Sequence, residues 1–242
     1  IIDSPDGTSP FVNMYLVEGS EKAVLIDAGL SRDDLAGYVK TLTNKPIEVI
    51  ITHGHVDHIM CADQFDKVYM SHSDVSVVNS GPGLKHLDTS KFIDLQGGEV
   101  FDLGGYKLEI IAFPGHTYGS IVILDRERQY LFASDSIGSG ELWMQLDHST
   151  SMEEYVIEIK RFEKQIEGLN QLKVLLGHDC LMEQKPDIQY IIDTRITAEN
   201  IVSGEMKGAE IDGDKPQYLG AYSAKYGQIN IIYAPDNIFI KK

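Results

Sequence analysis

The segment from Thr52 to His58 concentrates reactive side chains in a few positions. Its residues, Thr-His-Gly-His-Val-Asp-His, supply three imidazoles and one carboxylate at His53, His55, Asp57 and His58. Neutral imidazole nitrogens and carboxylate oxygens are ligands that suit zinc, with iron and manganese as alternatives. An isolated histidine is usually a core or surface residue, but that explanation does not account for a cluster this dense. The segment therefore predicts a metal site.

The spacing within the segment favours two ions over one. Alternating residues of an extended segment share a face, so His53 and His55 can hold one ion while the turn that follows directs Asp57 and His58 elsewhere. Three more candidate ligands come directly after runs that predict strands: His116, Asp135 and His178. Six or seven ligands exceed the number that one zinc ion takes.

Apolar runs bounded by turn residues predict the strands that position these ligands. The predicted strands cover residues 23–26, 47–51, 68–70, 100–103, 106–113, 121–124, 130–133, 174–176, 229–233 and 238–240. Helices are predicted after Ser31, from about Ile59, from Ser151 to Gly168 and over 186–204. Strands followed by a helix recur on both sides of about residue 115. This recurrence predicts two packed sheets with helices outside, in an α/β (α+β) fold.

Two of these helices have clear apolar faces. Ser151 and Glu154 form a capping box for the first of them. Its inward stripe is predicted to be Tyr155, Ile159, Phe162 and Ile166. The inward residues of the later helix are predicted to be Ile188, Ile191, Ile192 and Ile196. Core packing explains both stripes without any functional role.

Composition narrows the classes of function. The 242 residues, 43% of them apolar, suit a single domain over 1–242. No apolar run approaches the roughly 18 residues that span a bilayer, so no membrane partner is expected. With 21 basic against 37 acidic residues, the net charge of −16 argues against nucleic acid. The expected partner is a small-molecule substrate, and the oligomeric state stays open.

The two cysteines, Cys61 and Cys180, give weak information on compartment. They are too few for a disulfide framework, so a reducing, cytoplasmic location is predicted. The sequence begins at Ile1 rather than Met, which leaves removal of a leader open. Each cysteine is expected to be a structural thiol, with a redox role for Cys61 as the alternative.

The motifs together resemble the metallo-β-lactamase superfamily. They are His-x-His-x-Asp-His at 53–58, Gly-His-Thr at 115–117, an Asp closing a strand at 135, and the late Gly-His at 177–178. The early Asp27-Ala28-Gly29 turn also resembles a motif of that family. The resemblance spans about residues 23–180 and implies a four-layer αββα sandwich with the site at one sheet edge.

The resemblance also implies how the ligands divide. His53, His55 and His116 would hold the first metal, Asp57, His58 and His178 the second, and Asp135 would bridge both. Two zinc ions roughly 3.5–4 Å apart can share a hydroxide, whose pKa falls from about 15.7 to near 7. In this family Asp57 would orient that nucleophile and move its proton, which makes it the catalytic residue. Candidates for fixing the imidazole tautomers are Asp27, Thr52, Thr117 and Ser134.

Position 135 bears on the branch of the superfamily. The best-known β-lactamases have cysteine where Asp135 stands, and the lysine that would hold a lactam carboxylate is absent from 134–140. The pattern is therefore more similar to the glyoxalase II and lactonase branches. The leading hypothesis is hydrolysis of a small ester, thioester or lactone.

Other functions on the same fold stay open. A persulfide dioxygenase would hold a single iron with His53, His116 and Asp135. β-Lactamase or phosphodiesterase activity and a non-catalytic scaffold are further alternatives. Substrate identity is expected to depend on loops at 80–88, 137–149 and 204–226, the first of them a potential lid. The candidate substrate contacts are Tyr118, Trp143, Tyr222 and Tyr226, whereas His72, His86 and His148 are assigned to the surface.

Overall fold

The computed structural model describes residues 12–31, 33–178, 185–211 and 218–241. Within these ranges the chain divides into two compact units. The first contains residues up to 112 together with 119–128, and the second contains 113–118 together with 129 onward. The single domain over 1–242 stays a prediction. Cys180 lies outside the described residues.

The first unit contains a mostly parallel sheet, three short helices and a set of antiparallel strands. In chain order its elements are β1 (Tyr15–Glu18), β2 (Ala23–Ile26), α1 (Leu35–Leu42), β3 (Ile47–Ile50), α2 (Val56–Ile59), β4 (Val68–Met70), α3 (Val75–Ser80), β5 (Ile93–Asp94), β6 (Val100–Asp102), β7 (Lys107–Ala112) and β8 (Ile121–Asp125). The sheet has the order β1-β2-β3-β4-β5, with only β1 and β2 antiparallel. Strands β6, β7 and β8 pair antiparallel.

Strands β2 and β3 position the first group of candidate ligands. Every residue of β2 is buried, as expected for a parallel strand covered on both faces. The two strands pair in register, from Ala23 opposite Ile47 to Ile26 opposite Ile50. Because parallel strands end at the same edge, Asp27 and Thr52 emerge side by side.

The helix predicted from about Ile59 begins earlier. Helix α2 starts at Val56 after the N-cap His55, so Asp57 and His58 lie within its single turn. The sequence pattern did not locate this start, because one helical turn is too short to show an apolar period. The hairpin predicted around Gly104-Gly105 is confirmed, with both glycines at positive φ and β6 paired to β7.

The second unit contains a mixed sheet and two longer helices. In chain order its elements are β9 (Tyr130–Ser134), β10 (Glu141–Met144), α4 (Met152–Gln165), β11 (Lys173–Leu176), α5 (Ile188–Ser203), β12 (Ala209–Glu210), β13 (Tyr222–Tyr226) and β14 (Ile229–Tyr233). Strand β11 is parallel to β9. The mixed sheet has the order β10-β14-β13-β12, with β10 parallel to β14. Strands β10, β12 and β13 form within segments that were predicted as loops.

Helix α4 forms where the sequence predicted it, with the predicted cap and buried face. Ser151 and Glu154 make both hydrogen bonds of a capping box. All four residues of the predicted stripe are buried. The N-terminal boundary and the buried face were therefore both readable from local spacing.

Helix α5 buries a different face from the one predicted. Of its four isoleucines named above, only Ile191 is buried, and Tyr190, Thr194 and Thr197 are buried instead. The threonine hydroxyls donate to the carbonyls of Tyr190 and Asp193, at 2.8 and 2.7 Å. These bonds satisfy the polar groups and allow them into the interior.

Residues 238–240 do not form the predicted strand. The chain instead runs along the first turn of α4, where Met152 and Glu153 donate backbone N–H groups to the carbonyls of Asn237 and Ile238. The Ile240 N–H donates to the Glu153 carboxylate at 3.0 Å. The segment therefore satisfies helix-terminal donors that lack partners within the helix.

None of the helices in the described part of the chain is both long and apolar enough to cross a bilayer.

Candidate metal centre

A buried hydrogen-bonded group lies at the C-terminal ends of β2 and β3. Asp27 Oδ1 accepts from the backbone N–H of Thr52 at 2.8 Å and from its hydroxyl at 2.9 Å. Asp27 Oδ2 lies 2.9 Å from Nδ1 of His58. Asp27 has φ 63°, a strained conformation for a non-glycine residue. Strain of this kind is often found where a fold positions a functional group.

These contacts determine which ring nitrogen of two histidines carries the proton. A carboxylate only accepts, so His58 donates from Nδ1 and keeps the lone pair on Nε2. The Thr52 hydroxyl uses its proton toward Asp27, so its oxygen accepts from His53 Nδ1 at 3.2 Å. Both neutral rings therefore offer Nε2 as a metal ligand. This arrangement, with the second nitrogen held by a neighbour, is usual for metal-binding histidines.

The four ligands of the His53–His58 segment converge. The ring centroid of His53 lies 4.8 Å from that of His55 and 4.2 Å from that of His58. His58 Nε2 lies 3.6 Å from Asp57 Oδ2. His53 and His58 are buried, whereas His55 and Asp57 are partly accessible to solvent. The donor set is nitrogen-rich with carboxylate oxygen, which fits zinc, iron or manganese.

Asp74 is a supporting residue that the sequence analysis missed. It is fully buried. Its Oδ2 accepts from the Gly54 N–H at 2.8 Å, and its Oδ1 accepts from the Gly119 N–H at 2.7 Å. Gly54 lies between His53 and His55, so the carboxylate holds the backbone of the histidine segment. An Asp directly before a helix is usually an N-cap, but this side chain makes no capping bond to α3.

The second unit contains the remaining candidate ligands, His116, Asp135 and His178. His116 Nδ1 lies 2.7 Å from the carbonyl oxygen of Trp143, an acceptor only, so the proton is on Nδ1 and the lone pair on Nε2. Asp135 Oδ2 lies 3.3 Å from His178 Nε2 and 3.9 Å from His116 Nε2. One carboxylate oxygen thus faces the ligand nitrogens of two histidines. The bridging role of Asp135 stays a prediction.

Two buried tyrosines hold the loop that follows Asp135. The Tyr155 hydroxyl donates to the Ser136 carbonyl at 2.9 Å, and the Tyr190 oxygen accepts from the Gly140 N–H at 2.9 Å. Burial raises the pKa of both hydroxyls above the ordinary value, and for Tyr190 the nearby Asp135 adds to the effect. Both therefore stay neutral. Helices α4 and α5 each fix one point of this loop.

His178 is attached to the same loop. Its backbone N–H donates to the Ser139 hydroxyl oxygen at 2.9 Å. Ser134, directly before Asp135, has φ 47° and is buried. The predicted supporting residue Thr117 is also fully buried. The backbone on both sides of Asp135 is therefore closely specified.

The predicted substrate contacts do not share one surface. Register pairs Trp143 with Ile232 and Ile232 with Ser223, which puts Trp143 and Ser223 on the same face of the mixed sheet. Tyr222 lies on the opposite face, with its ring 6.1 Å from that of Tyr233. Tyr118 is 50% exposed. Trp143 and Tyr222 therefore cannot contact a ligand from the same side of this sheet.

The remaining candidates have ordinary surroundings. His72 and His86 are exposed, as predicted, and each has a ring nitrogen next to a backbone carbonyl. Cys61 is buried, with its Sγ 2.6 Å from the Ser31 carbonyl oxygen. These contacts agree with a structural role for the thiol.

Comparison with known proteins identifies the family. Residues 7–178 match the Metallo-beta-lactamase superfamily. The chain belongs to this superfamily, and the predicted recognition and α/β sandwich fold are confirmed. The archaeal superfamily protein ST1585 from Sulfolobus tokodaii has the same fold, with a TM-score of 0.56 at 23% identity over 84% of each chain.

Relatives with named activities are hydrolases. The human acyl-coenzyme A thioesterase MBLAC2 is 28% identical over 202 residues, which cover 69% of this chain and 72% of that protein. The probable polyketide biosynthesis zinc-dependent hydrolase BaeB of Bacillus velezensis is 25% identical over 166 residues, covering 68% and 71%. These relatives confirm the predicted enzyme class, a metal-dependent hydrolase.

Proposed function

We propose that the chain is a dinuclear metal-dependent hydrolase of small esters, thioesters or lactones. One observation carries the proposal. Within each unit the candidate ligands converge: the ring centroids of His55 and His58 lie 4.8 and 4.2 Å from that of His53, and Asp135 Oδ2 lies 3.3 Å from His178 Nε2 and 3.9 Å from His116 Nε2. Small side-chain movements bring such atoms to the ligand distances of about 2.0–2.2 Å around zinc.

The proposed ligand division is the one that the superfamily resemblance implies. His53, His55 and His116 hold the first ion, and Asp57, His58 and His178 hold the second. Asp135 lies between them, which its contacts with two histidine nitrogens support. The name of BaeB supports zinc. Iron and manganese share the same preference for nitrogen and oxygen ligands.

Each part of the chain then has a defined task. A bound metal would lower the pKa of its water to near 7 and would polarise the substrate carbonyl. Thr52, Asp27 and the Trp143 carbonyl keep Nε2 of three histidines free of protons. Asp57 is the acid/base, because a carboxylate next to the reacting atoms can take a proton and return it to the leaving group. Its side chain is 20% exposed, so that proton can exchange with solvent.

The proposed substrate is small. MBLAC2 is named for a thioester substrate, which supports a carbonyl carbon as the site of attack. The net charge of −16 disfavours extended polyanions such as nucleic acid. The proposed substrate contacts are Trp143, whose carbonyl is hydrogen-bonded to His116, and Tyr118, whereas Tyr222 would serve only a ligand on the opposite face of the sheet.

Metal analysis combined with a hydrolysis panel tests this proposal. We expect two ions per chain and turnover of at least one ester, thioester or lactone. The His116→Ala variant should lose the first ion and at least about 100-fold in kcat/KM, because a metal ligand is missing. The control, His72→Ala, changes an exposed histidine outside the proposed ligands and should keep both properties.

Other outcomes identify the alternatives. Full activity in His116→Ala would contradict the site, and fewer than two ions in an active preparation would contradict the dinuclear form. A single iron with oxygen consumption would indicate the dioxygenase. Two bound ions without turnover over a broad panel would indicate a non-catalytic protein.

A further inference from the structure

We propose that Glu141, Trp143 and Tyr218 form a subsite for a cationic group of the substrate, such as a substituted ammonium. The inference rests on the proposed function, since it specifies the charge of the molecule that is hydrolysed. The three residues belong to the second unit, and Trp143 joins them to the candidate ligand His116.

The Glu141 carboxylate is held by neutral donors. Its Oε2 accepts from Trp143 Nε1 at 3.2 Å and from the Tyr218 hydroxyl at 3.4 Å, and its Oε1 accepts from Asn230 Nδ2 at 3.4 Å. The Ser223 hydroxyl donates to Asn230 Oδ1 at 2.7 Å, which leaves the amide NH₂ directed at Glu141. A carboxylate offers about four acceptor positions, so one remains for a ligand.

The part of the chain that the structure describes supplies no cationic partner for this carboxylate. Among the described residues, Glu141 forms no ion pair. Burial raises the pKa of Tyr218, and the nearby Glu141 raises it further. The phenol therefore stays protonated and continues to donate to the carboxylate.

Two aromatic rings adjoin this charge. The indole of Trp143 and the ring of Tyr218 pack edge to face, with centroids 5.4 Å apart. Trp and Tyr rings attract cations through their electron-rich faces, Trp most strongly. Two rings next to a carboxylate that no described cation neutralises make a favourable environment for an ammonium and an unfavourable one for an anion.

The subsite lies on the more open face of its sheet. Glu141 and Trp143 alternate with Leu142 and Met144 along β10, and only the latter pair is buried. The Trp143 carbonyl accepts from His116 Nδ1 at 2.7 Å. The indole thus belongs to a residue whose backbone contacts a proposed metal ligand.

A purely structural role explains less. Joining Trp143 to Tyr218 requires only one acceptor oxygen, which a neutral glutamine also supplies. A half-buried charge without a cationic partner is costly, and the chain already carries a net charge of −16. A ligand cation accounts for the retention of this charge.

Fluorescence tests the subsite without relying on catalysis. Trp143 is the only tryptophan in the chain, so intrinsic tryptophan emission reports on this position alone. The probes are choline and its neutral isostere 3,3-dimethyl-1-butanol, titrated into the purified enzyme at constant ionic strength. We expect a saturable change with choline and none with the alcohol.

Two matched variants separate charge from structure. Glu141→Gln should weaken choline binding about tenfold or more, because the ligand loses its ionic partner. Glu210→Gln removes the same charge from β12 of the same sheet and should leave the choline affinity unchanged. Equal responses to choline and the alcohol, or undiminished choline binding in Glu141→Gln, would overturn the subsite.

Hydrolysis distinguishes failure of the subsite from failure of the proposed function. We expect choline esters to exceed 3,3-dimethylbutyl esters in kcat/KM, and Glu141→Gln to remove this difference. Hydrolysis of both esters at equal rates would overturn the subsite and leave the hydrolase intact. Choline binding without turnover of any ester would support the subsite and contradict the hydrolase.

Discussion

Residues that would not touch a metal decide what the histidines can offer to it. The Thr52 hydroxyl donates to Asp27 and accepts from His53, while Asp27 also accepts from His58. Two imidazoles are thereby set in the same tautomer by one threonine and one aspartate. The positive φ of Asp27 shows that the backbone is strained at the point where this arrangement is made.

Replacing Thr52 tests this arrangement at the scale of one hydroxyl. In Thr52→Val, His53 Nδ1 loses its acceptor and Asp27 loses a donor, so we expect metal affinity to fall about 10- to 100-fold. Competition with a chromophoric chelator measures the change. Thr52→Ser keeps the hydroxyl and should retain the original affinity. Identical affinities for both variants would show that the tautomer is set elsewhere.

At the scale of elements, helices α4 and α5 position the loop after Asp135. Each helix contributes a buried tyrosine, and the hydroxyls of Tyr155 and Tyr190 bond to backbone groups of that loop. The burial of Tyr190 explains why α5 turns a different face inward from the one its isoleucines predict. The helix is oriented by a polar contact as well as by apolar area.

Tyr190→Phe should loosen this loop. The variant leaves the Gly140 N–H without its acceptor, which costs about 1–3 kcal/mol of unfolding free energy. We expect metal affinity to fall as well, since Asp135 belongs to the same loop. Urea unfolding and metal competition measure the two effects. Tyr38→Phe alters a tyrosine that is 48% exposed and should change stability by less than about 0.5 kcal/mol. Equal stability of the two variants would contradict the role of Tyr190.

At the scale of the whole molecule, charge connects metal binding to stability. The chain has a formal net charge of −16, and two divalent ions would bring this net charge to −16 + 4 = −12. Without ions, Asp57 and Asp135 would lose the positive charge that offsets them. Metal binding is therefore expected to contribute to folding stability.

Chelation provides the corresponding measurement. An ion present at 1,000 times its Kd stabilises the folded state by about 4 kcal/mol, which is roughly 10 °C in Tm for a chain of this size. We expect a fall of this order on adding a strong chelator, with recovery on adding zinc. The His116→Ala variant should respond less. An unchanged Tm in the parent protein would argue against stable metal binding.

Local sequence determined the ligand types, their position after strands, and the whole of helix α4. These properties depend on neighbours within a few positions, such as the capping box of Ser151 and Glu154. The proposed division of the ligands between two ions also rests on the sequence, through resemblance to a family that the comparisons confirm. Helix α2 was too short for its start to be readable.

Only the tertiary structure showed which distant groups support these residues. Asp74 bonds to backbone 20 and 45 positions away, and Glu141 meets Tyr218 77 positions along the chain. Trp143 and Tyr222 were both predicted to contact the substrate, yet the register of β10, β14 and β13 put them on opposite faces. Periodicity in one segment carries no information about such pairings, because hydrogen bonds between remote segments form only once the sheets and helices have packed.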